Sequence, residues 1–331
     1  VININLTLNQ FCRYLVNFII SQNRLLVKPG LRKVKKTAII APKDGMIMNY
    51  TNCELCPRRC GVNRTEGETG FCGCPDTALV AKTMIHKWEE PALAGVGGSG
   101  AIFFGGCTLG CAYCQNRAIS GGPVGTPMDS KALRREMENL IAQGAENIDL
   151  VTPTQFLPTL LPALKPKLPV PVVYNCGGYE REETVRALDG LVDIYLPDLK
   201  YAVGEKAKKY SAAEDYFEVA TAAILEMFRQ TGPVQIEDGM LKKGVLIRHL
   251  VLPGQVDNSL GVLDWIADTF GSAVPVSLMR QYTPMPGMAA PYDRTITEQE
   301  YESVLSWMYL NDLEGFTQEA DSATQNFIPN F

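Results

Sequence analysis

Eight of the ten cysteines fall into two groups whose spacing suits metal chemistry. The first is Cys107-Thr-Leu-Gly-Cys111-Ala-Tyr-Cys114, with the pattern C-x3-C-x2-C. Three thiolates on one tight loop suit a cuboidal 4Fe–4S cluster, which normally takes four cysteines, so one iron is left open for a non-protein ligand. Zinc suits the loop less well, because a closed structural zinc site takes four ligands. Gly105, Gly106 and Gly110 let the backbone wrap closely around a cluster. The second group is Cys53-x2-Cys56-x3-Cys60-x11-Cys72, with Cys74 nearby. Four thiolates there close either a zinc site or another 4Fe–4S cluster, and the sequence leaves both open. Arg58 and Arg59, between these ligands, offset the negative charge of the thiolates, while Gly61, Gly67 and Gly70 permit the turns that return Cys72. Cys12 and Cys176 have no partners at ligand spacing, and the only histidines are His86 and His249. Any metal site is therefore mostly thiolate, a donor that selects zinc, Cu(I) or iron–sulfur.

The elements that must position these groups follow from the apolar pattern. Strand-like runs cover Ala101–Gly106, Asn147–Thr152, Val170–Cys176, Val192–Leu196, Val245–Val251 and Val274–Met279. Helical segments are expected near Ser130–Gln143, Phe156–Leu164, Glu180–Leu188, Ala212–Gln230, Ser259–Phe270 and Glu298–Leu310. Six β-then-α units imply a parallel sheet with right-handed crossovers, and near-continuous apolar strands imply burial on both faces. Six units are too few for a closed eightfold barrel, so the expected fold is α/β, a partial (β/α)6 TIM-like barrel. Chemistry in such folds sits at the carboxyl ends of the strands, and the Cys107 loop directly follows the first of them.

CTLGCAYC resembles the defining motif of the radical S-adenosylmethionine (SAM) superfamily. WEEPALAGVGGSGAIFFGGC, YCQN, VTPTQF, YNCGGY, VDIYLPDLKY, RHLVLPG and QYTPM resemble the subgroup related to pyruvate formate-lyase activating enzymes, with its N-terminal cysteine block. The likeness covers roughly residues 50–315. It implies that SAM chelates the open iron and that one-electron reduction cleaves SAM to a 5′-deoxyadenosyl radical. It also implies a low-potential electron donor such as flavodoxin or ferredoxin, with a glycyl-radical enzyme as the first candidate acceptor. Modification of another protein or of a small molecule is the second. By the same resemblance Tyr113 packs near adenine, and Asp198 and Lys200, on one face of their extended segment, line the SAM site. Asn175 would reach the ribose or carboxylate, Arg248 would contact an anion, and Gln281 and Tyr282 would help close the pocket. The superfamily has a Gly-Gly-Glu-like motif after the second strand. This chain has Val-Thr152-Pro-Thr154 there, which leaves Thr152 and Thr154 as substitute oxygens. The rival from another class is an electron-transfer or structural metal-binding protein.

The chain has 331 residues, 46% of them hydrophobic and 20% charged, an ordinary globular composition. No run approaches the length of a membrane span, and Leu15 to Ile20 is too short and lacks the flanks of a secretory signal. A cytoplasmic, reducing setting is expected, in which clustered cysteines are ligands and not disulfides. Residues 1–45 carry eight basic residues against Asp44 alone, a net +7, which leaves 23 basic and 35 acidic residues and −12 for the rest. So acidic a body argues against extended nucleic-acid binding. Residues 1–45 read as a basic extension, either extraneous with a working start near Met46 or a helix near Leu6–Asn23. Residues 46–100 read as the cysteine-rich segment and connector, 101–315 as the barrel and 316–331 as a tail.

Overall fold

The computed structural model describes residues 48–318. The expectations for residues 1–45, for Cys12 and for residues 319–331 of the tail lie outside the described residues.

Strand β1 (Ala78–His86) pairs antiparallel with β2 (Ser99–Phe104), and β3 (Thr126–Met128) pairs antiparallel with the outer edge of β1. From β2 the sheet continues in parallel through β4 (Asn147–Val151), β5 (Val172–Cys176) and β6 (Ile194–Pro197) to β8 (Met240–Val245). Strand β7 (Gln235–Glu237) closes that side antiparallel to β8. A second, parallel sheet joins β9 (Ile247–Leu250), β10 (Val276–Met279) and β11 (Gly315–Thr317). The two sheets are continuous. Leu246 N–H donates to the Tyr195 carbonyl at 3.0 Å and Leu199 N–H to the Arg248 carbonyl at 2.9 Å. The result is a partial α/β barrel whose fifth expected strand is split in two at Leu246.

The expected strands are all present, and so is the order of the helices. Helices α1 (Pro91–Ala94), α2 (Arg117–Ser120), α3 (Ser130–Ala142) and α4 (Leu157–Ala163) precede α5 (Glu182–Arg186). The last four are α6 (Gly204–Ser211), α7 (Tyr216–Thr231), α8 (Val256–Phe270) and α9 (Glu298–Leu310). Helix α3 starts where the Asp129 carboxylate accepts from Ala132 N–H at 2.7 Å, and it buries Leu133, Met137 and Leu140 along one stripe. The segment expected as one helix over Ala212–Gln230 begins later. Ala212 has φ +49°, which ends α6, and α7 starts afresh at Tyr216. Strand β1 was not expected: it falls in the stretch read as connector.

Alternation along the strands separates two faces. Ile102, Leu150 and Tyr174 point outward into the main core with Leu133, Met137 and Leu160 of α3 and α4. On the inward face, Val173, Ile194 and Leu196 meet Ala92 and Leu93, so α1 plugs the amino-terminal end of the barrel. Other inward positions are Asp149, level with Val173, and above it Asn175, Asp198 and Arg248, and these are polar.

Candidate active site

The loop after β2 is fixed by backbone. Gly105 N–H donates to the Leu79 carbonyl at 2.9 Å and Gly106 N–H to the Ile119 carbonyl at 2.8 Å. Gly106 has φ +72°, and a Cβ there would lie 2.2 Å from Cys74 Sγ, so no other residue fits. Each of the three loop sulfurs accepts a hydrogen bond. Leu109 N–H reaches Cys107 Sγ at 3.4 Å, Ser211 Oγ reaches Cys111 Sγ at 3.1 Å, and Ser120 Oγ reaches Cys114 Sγ at 3.3 Å. Donors to sulfur are what a thiolate-ligated cluster uses to spread its charge. In chemistry and number the donor set fits an iron–sulfur cluster. Burial pushes the Cys111 thiol up to about 12 and the Cys107 thiol upward. Metal binding must therefore expel protons from these groups.

Arg58 does not serve the charge of the upstream thiolates. Its guanidinium donates to the carbonyls of Thr108 at 3.0 Å, Leu109 at 3.1 Å, Ser211 at 2.9 Å and Ala212 at 2.5 Å. It also lies over the Phe71 ring at 3.9 Å. Arg58 thus clamps the Cys107 loop to the end of α6, and Arg59 remains exposed.

Below the loop, four of the expected residues come together. Lys200 Nζ lies 2.5 Å from Asp198 Oδ2, and Arg248 Nε lies 3.0 Å from Asp198 Oδ1. Arg248 Nη2 donates to Asn175 Oδ1 at 2.5 Å, and Asn175 Nδ2 donates to Asp149 Oδ2 at 3.3 Å. Burial would raise the Asp198 carboxyl, but Lys200 and Arg248 outweigh it and hold that carboxyl below its ordinary value. Burial likewise opposes the charge on Lys200, and Asp198 more than restores it. His249, on the opposite face, bonds the Leu199 carbonyl at 2.7 Å and Ser259 Oγ at 2.8 Å. Burial lowers its pKa to about 4, so it is a neutral structural group.

The other expected residues sit apart from this charge network. Tyr113 is buried, shares a 2.7 Å hydrogen bond with Tyr201 and stacks on Tyr292 at 6.1 Å between centroids. Thr152 has φ +57°, a strained conformation for a β-branched residue. It is held by its N–H to the Asn175 carbonyl and by Gln155 Nε2 on its own carbonyl, both at 2.8 Å. The Thr154 hydroxyl is committed to Glu180 Oε1 at 2.7 Å and is no substitute ligand oxygen. Gln281 and Tyr282 are tied in place, the first through Gln115 Nε2 on its carbonyl and the second through its hydroxyl on the Tyr292 carbonyl, each at 2.7 Å.

In the cysteine block, Cys56, Cys60 and Cys72 lie close enough to influence one another, and burial pushes the Cys56 thiol up to about 12. Cys74 donates to Cys72, which brings the Cys72 thiol down to about 6 and sends Cys74 upward. Cys53 Sγ instead accepts from Arg64 Nη1 at 3.7 Å. Among the described residues no three His, Cys, Asp or Glu side chains converge as they would around one metal ion, in this block or at the Cys107 loop.

Sequence reasoning missed Glu89, Glu90, Asp149 and Gln155. Arg248 Nη1 lies 3.6 Å from Glu89 Oε2. Glu90 and Asp149 join the same network, burial and then Glu89 raising the pKa of each, Glu90 to about 7. Asp149 inside the apolar run Asn147–Val151, and paired acids before the apolar helix α1, were the available signals. Gln155 Nε2 reaches the carbonyls of Gly105 at 3.0 Å and Gly106 at 3.2 Å and so braces the thiol loop from behind.

No family model matches the sequence. Among solved structures, SuiB of Streptococcus suis bound to S-adenosylmethionine is 12% identical with a TM-score of 0.44, covering 65% of this chain and 48% of its own, so the chain spans about half the length of SuiB. A radical SAM methyltransferase from Sphaerobacter thermophilus is 10% identical with a TM-score of 0.47, covering 66% of each chain. HydG, a maturase of the [FeFe]-hydrogenase, is 14% identical with a TM-score of 0.46, covering 67% of this chain and 52% of its own. The uncharacterized protein MJ0674 of Methanocaldococcus jannaschii is 31% identical over 269 residues, 77% of this chain and 74% of that protein, and the chain belongs to the family of MJ0674.

Proposed function

We propose that this protein is a radical SAM enzyme. The observation that carries the reading is three cysteine sulfurs on one strand-end loop, each accepting one hydrogen bond, directly above a buried Asp198–Lys200–Arg248 network. Cys107, Cys111 and Cys114 would hold a 4Fe–4S cluster, with SAM at its open iron. When bound and reduced, that pair supplies reductive cleavage of SAM to a hydrogen-abstracting radical. Lys200 and Arg248 keep their charges through Asp198 and offer cationic and hydrogen-bonding groups to the SAM carboxylate. Leu109 N–H, Ser211 and Ser120 steady the sulfurs, and Arg58 and Gln155 fix the loop from two sides.

The resemblance in sequence names a glycyl-radical enzyme as the acceptor. The carboxyl groups that line the barrel favour a different one, a small amine. The test of the class is anaerobic reconstitution, followed by electron paramagnetic resonance with and without SAM and by assay for 5′-deoxyadenosine under strong reductant. A signal shifted by SAM and cleavage lost in Cys107→Ala, Cys111→Ala and Cys114→Ala are expected. A cluster signal indifferent to SAM, with no cleavage, would leave a plain electron carrier.

A further inference from the structure

The barrel interior holds more carboxyl groups than it has cations to pair with them. Glu89, Glu90, Asp149 and Asp198 face Lys200 and Arg248. Asp198 is satisfied by both cations, and Glu89 by Arg248 at 3.6 Å with His86 Nε2 at 3.9 Å. Glu90 and Asp149 are the surplus. Asp149 is 1% exposed and its Oδ1 has no hydrogen-bond partner, and Glu90 Oε2 is also buried without one. Three neighbours share that condition. Ser99 Oγ, 1% exposed, lies between His86 Nδ1 on β1 and Asn147 Oδ1 on β4, the residues that Ser99 pairs with on either side. Five orphaned polar atoms in the lower lumen are unusual, since buried polar groups are nearly always paired. All of them can accept a hydrogen bond. The inward residues beside them are small, Ala101 on β2 opposite Asp149 and Ser277 on β10 opposite Arg248. A hydrogen-bond donor would satisfy these atoms, and a cationic one would also offset the burial that raises the Asp149 and Glu90 carboxyls. An ammonium group suits such a site, because its three donors can reach separated acceptors.

We propose that the lumen beneath the thiol loop binds a primary amine as its ammonium ion, received by Asp149 and Glu90, and that the hydrogen donor for this site is a small amine-bearing molecule. This rests on the radical SAM reading for its role as substrate, but not for the binding. A peptide glycine has no charge to offer these carboxylates, so the lumen sets this chain apart from a glycyl-radical activator.

The test is calorimetric binding of n-butylammonium to the reconstituted full chain without SAM, with n-butanol and butyrate as uncharged and anionic controls. Saturable binding of n-butylammonium alone is expected, weakened about tenfold or more in Asp149→Asn, as loss of a charged hydrogen-bond partner requires. Glu90→Gln carries the same expectation, and should either variant fail to fold the other decides, with the wild-type selectivity standing beside it. Equal binding of n-butanol, or none of n-butylammonium, overturns the proposal. Displacement of n-butylammonium by potassium ions makes this an inorganic cation site and also overturns it. Displacement by S-adenosylhomocysteine assigns the carboxylates to the cofactor's own amino group and overturns the substrate role. Cleavage of SAM, assayed on the same preparation, reports separately on the radical SAM reading.

Discussion

Arg58→Ala removes four hydrogen bonds at one stroke, and the cost follows from the acceptors it abandons. The Ala212 carbonyl belongs to an exposed residue, so water replaces the guanidinium there. Thr108, Leu109 and Ser211 are all buried, at 4%, 2% and 1% exposure. A buried acceptor left unmet costs about 1–3 kcal/mol. Taking the low end for three carbonyls gives about 3 kcal/mol, since Arg58 is itself only half-buried. At about 2–4 °C per kcal/mol for a domain of this size, the melting temperature should fall by about 6–12 °C. Arg58→Lys keeps one donor reach and the contact with Phe71, so it should recover about a third of the loss. Arg59→Ala is the control. Arg59 is exposed, and its change should stay within about 0.5 kcal/mol. The assay is thermal unfolding by circular dichroism on reconstituted protein, with the rate of iron loss to a chelator read in parallel. Faster iron loss should accompany the lower melting temperature, because the clamp holds the Cys107 loop itself. A drop of less than about 2 °C with unchanged iron loss would show that the loop holds its shape without Arg58.

Asp198→Asn leaves Lys200 and Arg248 buried with half their compensation, so urea unfolding should show a loss of about 3–5 kcal/mol, and SAM cleavage should fall with it; a loss under about 1 kcal/mol would mean the network is solvated. Gly106→Ala must displace Cys74 Sγ and adopt a positive φ, so it should abolish retention of iron at the Cys107 loop; near-normal iron content would refute the packing. Glu90 has its pKa raised to about 7 in the fold, by burial and then by Glu89, against an ordinary 4.5, so the folded state takes up the proton more readily than the unfolded chain. That contribution is full below the ordinary value and is lost as pH rises through 7. The melting temperature of Glu90→Gln relative to wild type should therefore climb between pH 5 and pH 8, and a flat difference would show that Glu90 ionises freely.

Six strands and the order of helices were legible because their signals are local. Residues such as Ile102, Leu150 and Tyr174 belong to apolar runs buried on both faces, which leave an unbroken mark. The thiol loop was legible for the same reason, three ligands within eight residues. Strand β1 was not. It crosses the edge antiparallel, and only Ala78, Leu79, Val80 and His86 are buried, so its pattern resembles a polar connector. Asp198 and Lys200 could be paired from their spacing, but their links to Arg248, Asn175 and Asp149 join four strands. No spacing in sequence encodes such a meeting. Arg58 shows the opposite error. Its neighbours in sequence are Cys56 and Cys60, yet its partners lie about fifty and a hundred and fifty residues away.

That long reach means the cysteine block and the barrel brace one loop from two sides. Arg58 grips its outer side at Thr108 and Leu109. Gln155 grips its base at Gly105 and Gly106, and is itself positioned by Arg64 of the block, which donates to the Gln155 carbonyl at 2.7 Å. Two braces on one flexible segment cannot act independently, because a loop freed at one end gains less freedom when freed at the other. The double variant Arg58→Ala/Gln155→Ala should therefore lose less stability than the two single losses added, with a coupling of about 1 kcal/mol or more. Distant sites that share no element add to within about 0.5 kcal/mol. Urea unfolding of the wild type, both single variants and the double variant closes the cycle. Strict additivity would mean that the loop from Gly105 to Cys111 is rigid by its own backbone contacts, and that the cysteine block merely rests on it.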